Sequence, residues 1–193
     1  MKILPQDFYF EDTTSVAKAL LGKSLHINTT GTEYKARIVE VEAYLGITDP
    51  ACHTFEGRRT PRTTSMYLSG GHSYVYQIYG MYFCLNVVTR TENHPEAVLI
   101  RAVEPLPLAA KFEKSQLVSN GPGKLCRHYA INKEHNALPM WHKKSALYIS
   151  DDGFKVSKSQ IVSRPRIGVD YAGEAAAWPL RFYLADDKFV SKK

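Results

Sequence analysis

This 193-residue sequence has no apolar run near the roughly 20 residues needed to span a bilayer, which argues against a membrane-spanning helix. Cysteine is scarce, and Cys52, Cys84 and Cys126 are too far apart for a CxxC metal knuckle. The N-terminus, MKILPQDFYFEDTT, acquires a proline and acids at once and does not read as a signal peptide. An odd cysteine count beside that start fits reduced thiols in a cytoplasm. Internal repeats and long low-complexity stretches are also missing. The segment Asn120-Gly-Pro-Gly-Lys124 lacks the GxxxxGK[ST] spacing, which excludes a nucleotide-binding P-loop. His53 has no metal-ligand partner at a useful spacing, so a zinc site is not expected.

What is present is ordinary in amount and uneven in placement. Hydrophobic residues make up 44% and charged residues 23%, values of a globular protein, and the length fits one domain over residues 1–193. A net charge of +6 permits a polyanionic partner without specifying one. Asp12 and Thr13 read as caps of a helix from Ser15 to Leu21, with Gly22 as its stop. Residues 24–29 and 34–44 read as strands about the turn Thr30-Gly31, and 46–72 as a long irregular loop, a kind that is commonly functional. Ser73 to Val88 reads as a hairpin with its tip at Tyr79-Gly80, and Ala97 to Glu104 as a strand ended by Pro105 and Pro107. Helices are expected from Leu108 to about Leu117 and after Gly121-Pro122-Gly123, and strands at 146–150 and 180–184. Strands outnumber helices and turns are short, so the sheet should be mainly antiparallel, in an α+β fold.

The densest chemistry lies in RIVEVEAYLG, residues 37–46. Strand alternation sends Glu40, Glu42 and Tyr44 to one face and Val39, Val41 and Ala43 to the other. Two carboxylates in a row repel each other and are expensive to bury without partners, so this row is a candidate site as well as a solvated strand face. A carboxylate in an enclosed aromatic pocket can orient and deprotonate a water, a contribution of about 10²–10⁴-fold. Tyr74, Tyr76 and Tyr82 suit sheet packing, whereas Tyr79 at a hairpin tip has little core to enter and suits a wedge between base pairs or a protein contact. Arg58, Arg59 and Arg62 in GRRTPR read equally as phosphate contacts or as a solvated basic loop. Lys124 and the helix start beside it could meet a phosphate.

Together these segments resemble the alkyladenine (3-methyladenine) DNA glycosylase family, the mammalian type of alkylpurine glycosylase that also occurs in bacteria. The resemblance rests on RIVEVEAYLG, on His53 nine residues after Tyr44, on GRRTPR at 57–62 and on YVYQIYGMYFCLN at 74–86. It continues through LIRAVEPL at 99–106, NGPGKLC at 120–126, and AGE with PLRFY near the end. It implies one compact domain around a curved antiparallel sheet, with the tyrosine hairpin pushed into the minor groove of double-stranded DNA. By the same resemblance Glu42 activates the water that displaces the damaged base, with Glu40 a secondary acid. Tyr44, His53 and Tyr76 sandwich the flipped purine, Tyr79 fills the vacated stack, and Asn86 opposes the exocyclic amine of guanine. Arg101 stands near the lesion's sugar-phosphate, and Arg58 and Arg62 near the DNA or the site. The substrates implied are 3-methyladenine, 7-methylguanine, hypoxanthine and ethenoadenine. No lysine occupies the nucleophile position of the core motif, so a monofunctional hydrolase without lyase activity is expected.

The resemblance implies no cofactor, no metal and no membrane partner, a monomer, and a place beside the bacterial nucleoid or, in a eukaryote, in the nucleus. The sequence departs from the vertebrate pattern in a longer 89–98 segment and in Asp170-Tyr171, which replaces a glycine-histidine pair and weighs against a pocket role for that stretch. The alternatives are a non-catalytic damage-binding protein with the same pocket and wedge, an enzyme of free nucleosides or RNA, and a structural interaction domain. The first has no use for Glu42, the second none for Tyr79, and the third none for their arrangement.

Overall fold

The structure, a computed structural model, describes residues 1–29, 31–107 and 118–193. Thr30 and the helix expected over 108–117 lie outside the described residues. The long strand β3 (Thr32–Tyr44) organises the rest. Along one edge it pairs antiparallel with β6 (Glu96–Leu106); along the other it pairs first with β2 (Ser24–Thr29) and then, over Glu40–Glu42, with β9 (Arg181–Leu184). The hairpin β4 (Ser73–Ile78) and β5 (Tyr82–Thr89) continues the sheet beyond β6. On the far side β7 (Leu147–Asp151) and the two-residue β1 (Lys2–Ile3) follow β2, and β8 (Ile161–Arg164) pairs with β9. Among the described residues all nine strands belong to one curled antiparallel sheet, and with its helices the fold is α+β, as the strand-rich pattern led one to expect.

Local chemistry explains the elements around this sheet. Helix α1 (Thr13–Leu20) begins where the Asp12 carboxylate accepts the Ser15 N–H at 2.9 Å, buries Val16, Ala17 and Leu20 on one face, and stops before Gly22. Gly22 has φ +84°, and a Cβ there would lie 2.6 Å from Val156, so glycine is needed twice over. Helix α2 (Pro122–His128) starts at Pro122 itself and not after Gly123, because proline is suited to the first helical position. Strand β6 runs through Pro105 instead of ending at Glu104. Past Leu99 its only ladder neighbour among the named strands is β3, so the missing N–H is tolerated as on an edge strand. The segment 46–72 carries three short 3₁₀ turns and no strand.

The two faces of the sheet do different work. Val39, Val41, Ala43, Val75, Leu85, Val87, Val98 and Ile100 enter the main apolar core, which α1 and α2 cover. Their alternates, including Tyr44, Tyr74, Tyr76, Cys84, Asn86, Ala97, Leu99 and Arg101, line a cleft on the other face. Two register shifts interrupt the β3–β6 ladder there, leaving Val39 on β3 and Arg101 on β6 without a cross-strand partner. The expected row of Glu40, Glu42 and Tyr44 is thus present, but both faces of β3 are closed over: Glu40 and Glu42 are each 0% exposed.

Candidate active site

The cleft has a volume of about 320 Å³, within reach of a purine. Its floor comes from β3–β6, one wall from the 46–72 segment with Ala51, Cys52, His53 and Met66, and the facing wall from Ile167 to Tyr171.

Behind that floor lies the carboxylate cluster, and every carboxylate in it has partners. Glu40 accepts from Arg101 Nε at 3.1 Å, Arg181 Nη1 at 3.0 Å, and the Ser191 N–H and hydroxyl at 2.7 and 2.9 Å. Glu42 lies 3.2 Å from Arg101 Nη1, accepts the Ile167 N–H at 2.8 Å on Oε1, and accepts the Tyr44 hydroxyl at 2.9 Å on Oε2. Two carboxylates stand against two guanidiniums, so the repulsion expected from the row is cancelled locally. Burial by itself would lower the Arg101 pKa; Glu42 and Glu40 outweigh it and hold that guanidinium above its usual value. Burial first, and then the Glu42 charge, push the Tyr44 hydroxyl well above its usual range, which keeps it a donor to Glu42. Glu42 is not itself a lining residue, whereas Tyr44, Arg101 and Ile167, the groups it touches, all are. Arg101, expected beside the sugar-phosphate, is 7% exposed and forms part of the floor.

Aromatic rings line the rest. Tyr44 and Tyr76 pack against a second apolar cluster of Cys52, Met66, Tyr74, Val88 and Ala97. His53 meets Tyr76 edge to face at 4.7 Å between centroids, and its Nδ1 shares a hydrogen bond of 2.8 Å with the Tyr74 hydroxyl. Burial, followed by the nearby Arg62 and Arg58 charges, pushes the His53 pKa down to about 4, so the ring is neutral at neutral pH. Asn86 donates from Nδ2 to the Tyr74 carbonyl at 2.9 Å, which fixes its amide in the cleft.

At the mouth, Tyr79 is 86% exposed at the hairpin tip, where it and Gly80 both have positive φ, +50° and +71°. The Met81 N–H donates to the Ile78 carbonyl at 3.2 Å, closing a tight turn centred on Tyr79 and Gly80 within the three-residue connection 79–81, and two consecutive positive φ values suit such a turn between twisted strands. Gln77 Nε2 donates to the Gly80 carbonyl at 2.6 Å and fastens the tip. The Arg62 guanidinium lies 4.8 Å from the Tyr76 ring centre and donates to the Gln77 carbonyl at 3.3 Å, while Arg58 is exposed. Arg59 stacks on Tyr67 at 3.7 Å, and Lys124 on α2 is exposed and donates to Asn120 at 3.0 Å.

Several members of the site carried no sequence signal that singled them out. Asp49, Arg166, Arg181, Ser191 and the Ile167 N–H all reach the cluster or its walls from distant segments. The departure at Asp170-Tyr171 weighs against a pocket role for that stretch, yet Tyr171 lines the cleft and donates to the Ala51 carbonyl at 3.2 Å, bridging the two walls.

Comparison with known proteins shows the family. The model of the methylpurine-DNA glycosylase family matches residues 7–188. A protein of Bdellovibrio bacteriovorus, provisionally named 3-methyladenine DNA glycosylase, is 69% identical over 191 residues, covering 99% of this chain and all of the relative. Proteins with the same provisional name from Desulfitobacterium hafniense and Methanocella arvoryzae are each 46% identical, covering all of this chain and 100% and 98% of the relatives. No helix among the described residues is long and apolar enough to cross a membrane. The chain belongs to the methylpurine-DNA glycosylase family, and its enzymatic class is that of a DNA glycosylase.

Proposed function

We propose that this protein extrudes alkylated or deaminated purines from duplex DNA into the cleft and hydrolyses their N-glycosidic bond with a water activated by Glu42, leaving an abasic site. Chemistry on a base inside a duplex requires taking it out of the stack, and a wedge offsets the stacking that is lost. Tyr79, exposed on a fastened tip beside the cleft mouth, is suited to that wedge, and Arg58, Arg62 and Lys124 to the flanking phosphates. Tyr44, His53 and Tyr76 would hold the extruded purine. Bases alkylated at N3 or N7 are cationic, and electron-rich rings attract such a cation by about 0.5–2 kcal/mol. The neutral His53 adds no opposing charge. For neutral bases such as hypoxanthine and ethenoadenine, shape and hydrogen bonds to His53 and Asn86 carry recognition, and the Asn86 amide opposes the exocyclic amine of guanine.

The observation that carries the reading is the set of partners around Glu42. Glu42 is ion-paired with Arg101 and accepts the Ile167 N–H on one oxygen and the Tyr44 hydroxyl on the other, and a carboxylate's roughly four acceptor positions leave room for a water besides. In that place Glu42 would take the water's proton as the nucleophilic oxygen attacks the sugar carbon. Its charge would also stabilise the positive charge that develops on the sugar as the bond to the base breaks. Arg101, bridging Glu40 and Glu42, holds the carboxylate in register. The chain acts on this reading as a monomeric hydrolase on the minor-groove side of DNA, without lyase activity.

The test is base release from duplexes carrying one hypoxanthine or one 7-methylguanine, by the native enzyme and by Glu42→Gln. Release by the native enzyme, strand breakage only after alkali, and a variant that binds the lesion but releases about 10²-fold less are expected. Lesion binding by the native enzyme with no release from either duplex would refute catalysis and leave a damage-binding protein.

A further inference from the structure

Behind the Tyr44 ring sits a second buried ion pair that the catalytic cluster does not use. Arg166 and Asp49 both have side chains that are 0% exposed and face each other in a two-pronged arrangement, Nη1 to Oδ2 and Nη2 to Oδ1, the latter at 2.8 Å. Arg166 also donates to the Ala43 carbonyl at 3.1 Å, and its guanidinium carbon lies 4.8 Å from the centre of the Tyr44 ring. Tyr44 lines the cleft and Arg166 does not, so the cation stands on the ring's protein side. Asp49 accepts the N–H groups of Leu45 and Ala51, each at 3.0 Å, and so fixes the turn that leads to His53. Arg166 precedes Ile167, whose N–H holds Glu42. One ion pair thus ties together the end of β3, the His53 wall and the Ile167–Tyr171 wall.

We infer that Asp49 and Arg166 are positioning residues that hold Tyr44 in place and, because each cancels the other's charge behind that ring, set the cleft's preference between cationic and neutral purines. An uncompensated guanidinium there would oppose a cationic base on the other face of Tyr44. A stacked base lies about 3.5 Å beyond the ring, so the two charges would be roughly 8 Å apart. At an effective dielectric of about 20 that separation corresponds to a discrimination of about 10- to 30-fold. With Asp49 ionised beside it, the field of Arg166 is cancelled and the ring keeps its attraction for cations. A neutral base such as hypoxanthine does not feel the difference to first order.

The inference rests on the excision reading above. The experiment measures kcat/KM for duplexes with one 7-methylguanine and one hypoxanthine, using the native enzyme, Asp49→Asn, Arg166→Gln and the double variant. Within each preparation the ratio of the two values is independent of the folded fraction, so loss of stability does not distort it. Asp49→Asn should lower the ratio about 10-fold, Arg166→Gln should raise it, and the double variant should return it to within about 3-fold of native. Arg166→Lys keeps the charge without the fork, and should lower both activities while keeping the ratio. Should Asp49→Asn fail to fold, a raised ratio in Arg166→Gln and its return in the double variant make the same comparison. Ratios within about 2-fold of native in every folded variant would reduce the pair to a structural clamp and overturn the inference. A native enzyme that releases neither base sinks the excision reading, and this inference with it; an active enzyme with flat ratios sinks this inference alone.

Discussion

Replacing His53 by glutamine should flatten the acid side of the stability curve. The folded-state pKa of His53 is about 4, against an ordinary value of 6.5, because burial and then Arg62 and Arg58 oppose the charged ring. As pH falls through 6.5 the unfolded chain takes up a proton that the folded protein refuses. The stabilisation from His53 is therefore complete above about pH 6.5 and is lost progressively as pH falls toward 4, below which both states are protonated. A shift of that size corresponds to about 3 kcal/mol, and partial exposure of the ring reduces the expected effect to about 2 kcal/mol. The assay is urea unfolding at about pH 7 and about pH 4.5, for native protein and His53→Gln, under one buffer and salt condition. The variant loses the bond to Tyr74 and is less stable at both pH values, but that offset cancels in the change with pH. The native protein should lose about 2 kcal/mol more than the variant between the two conditions. Equal losses, within about 0.5 kcal/mol, would mean that His53 titrates normally and that the cleft does not exclude its charge.

Tyr79→Ala should leave the urea midpoint unchanged, since the side chain is 86% exposed, while lowering excision from a duplex by about 10-fold or more and from single-stranded DNA much less. Equal losses on the two substrates would remove the wedge role. Arg101→Met should cost about 3–5 kcal/mol of unfolding free energy, because Glu40 and Glu42 would remain buried with one cation between them. Urea denaturation checks this, and a loss under about 1 kcal/mol would show that the cluster tolerates the vacancy.

The sequence by itself determined whatever depends on neighbours along the chain. Asp12 caps its helix and Gly22 ends it because the bonds and angles involved span a few residues. The hairpin tip at Tyr79-Gly80 and the shared face of Glu40, Glu42 and Tyr44 follow from turn geometry and a period of two. The chain's kinship was legible for the same reason, since several ordered motifs recur along it. What surrounds those carboxylates was decided only by the tertiary structure. Arg181 and Ser191 lie 141 and 151 residues from Glu40, and Arg166 lies 117 from Asp49. No local pattern links such positions. The pairing of β9 with β3 brings Arg181 beside the carboxylates, the segments that follow β8 and β9 carry Arg166 and Ser191 to their partners, and desolvation then makes each contact obligatory. The bulges that leave Val39 and Arg101 unpaired, and the turn of Tyr171 into the cleft wall, are likewise invisible to alternation, because both depend on the register of one segment against another. Local alternation placed Glu40, Glu42 and Tyr44 on one face, and the contacts made across the sheet decided what surrounds them.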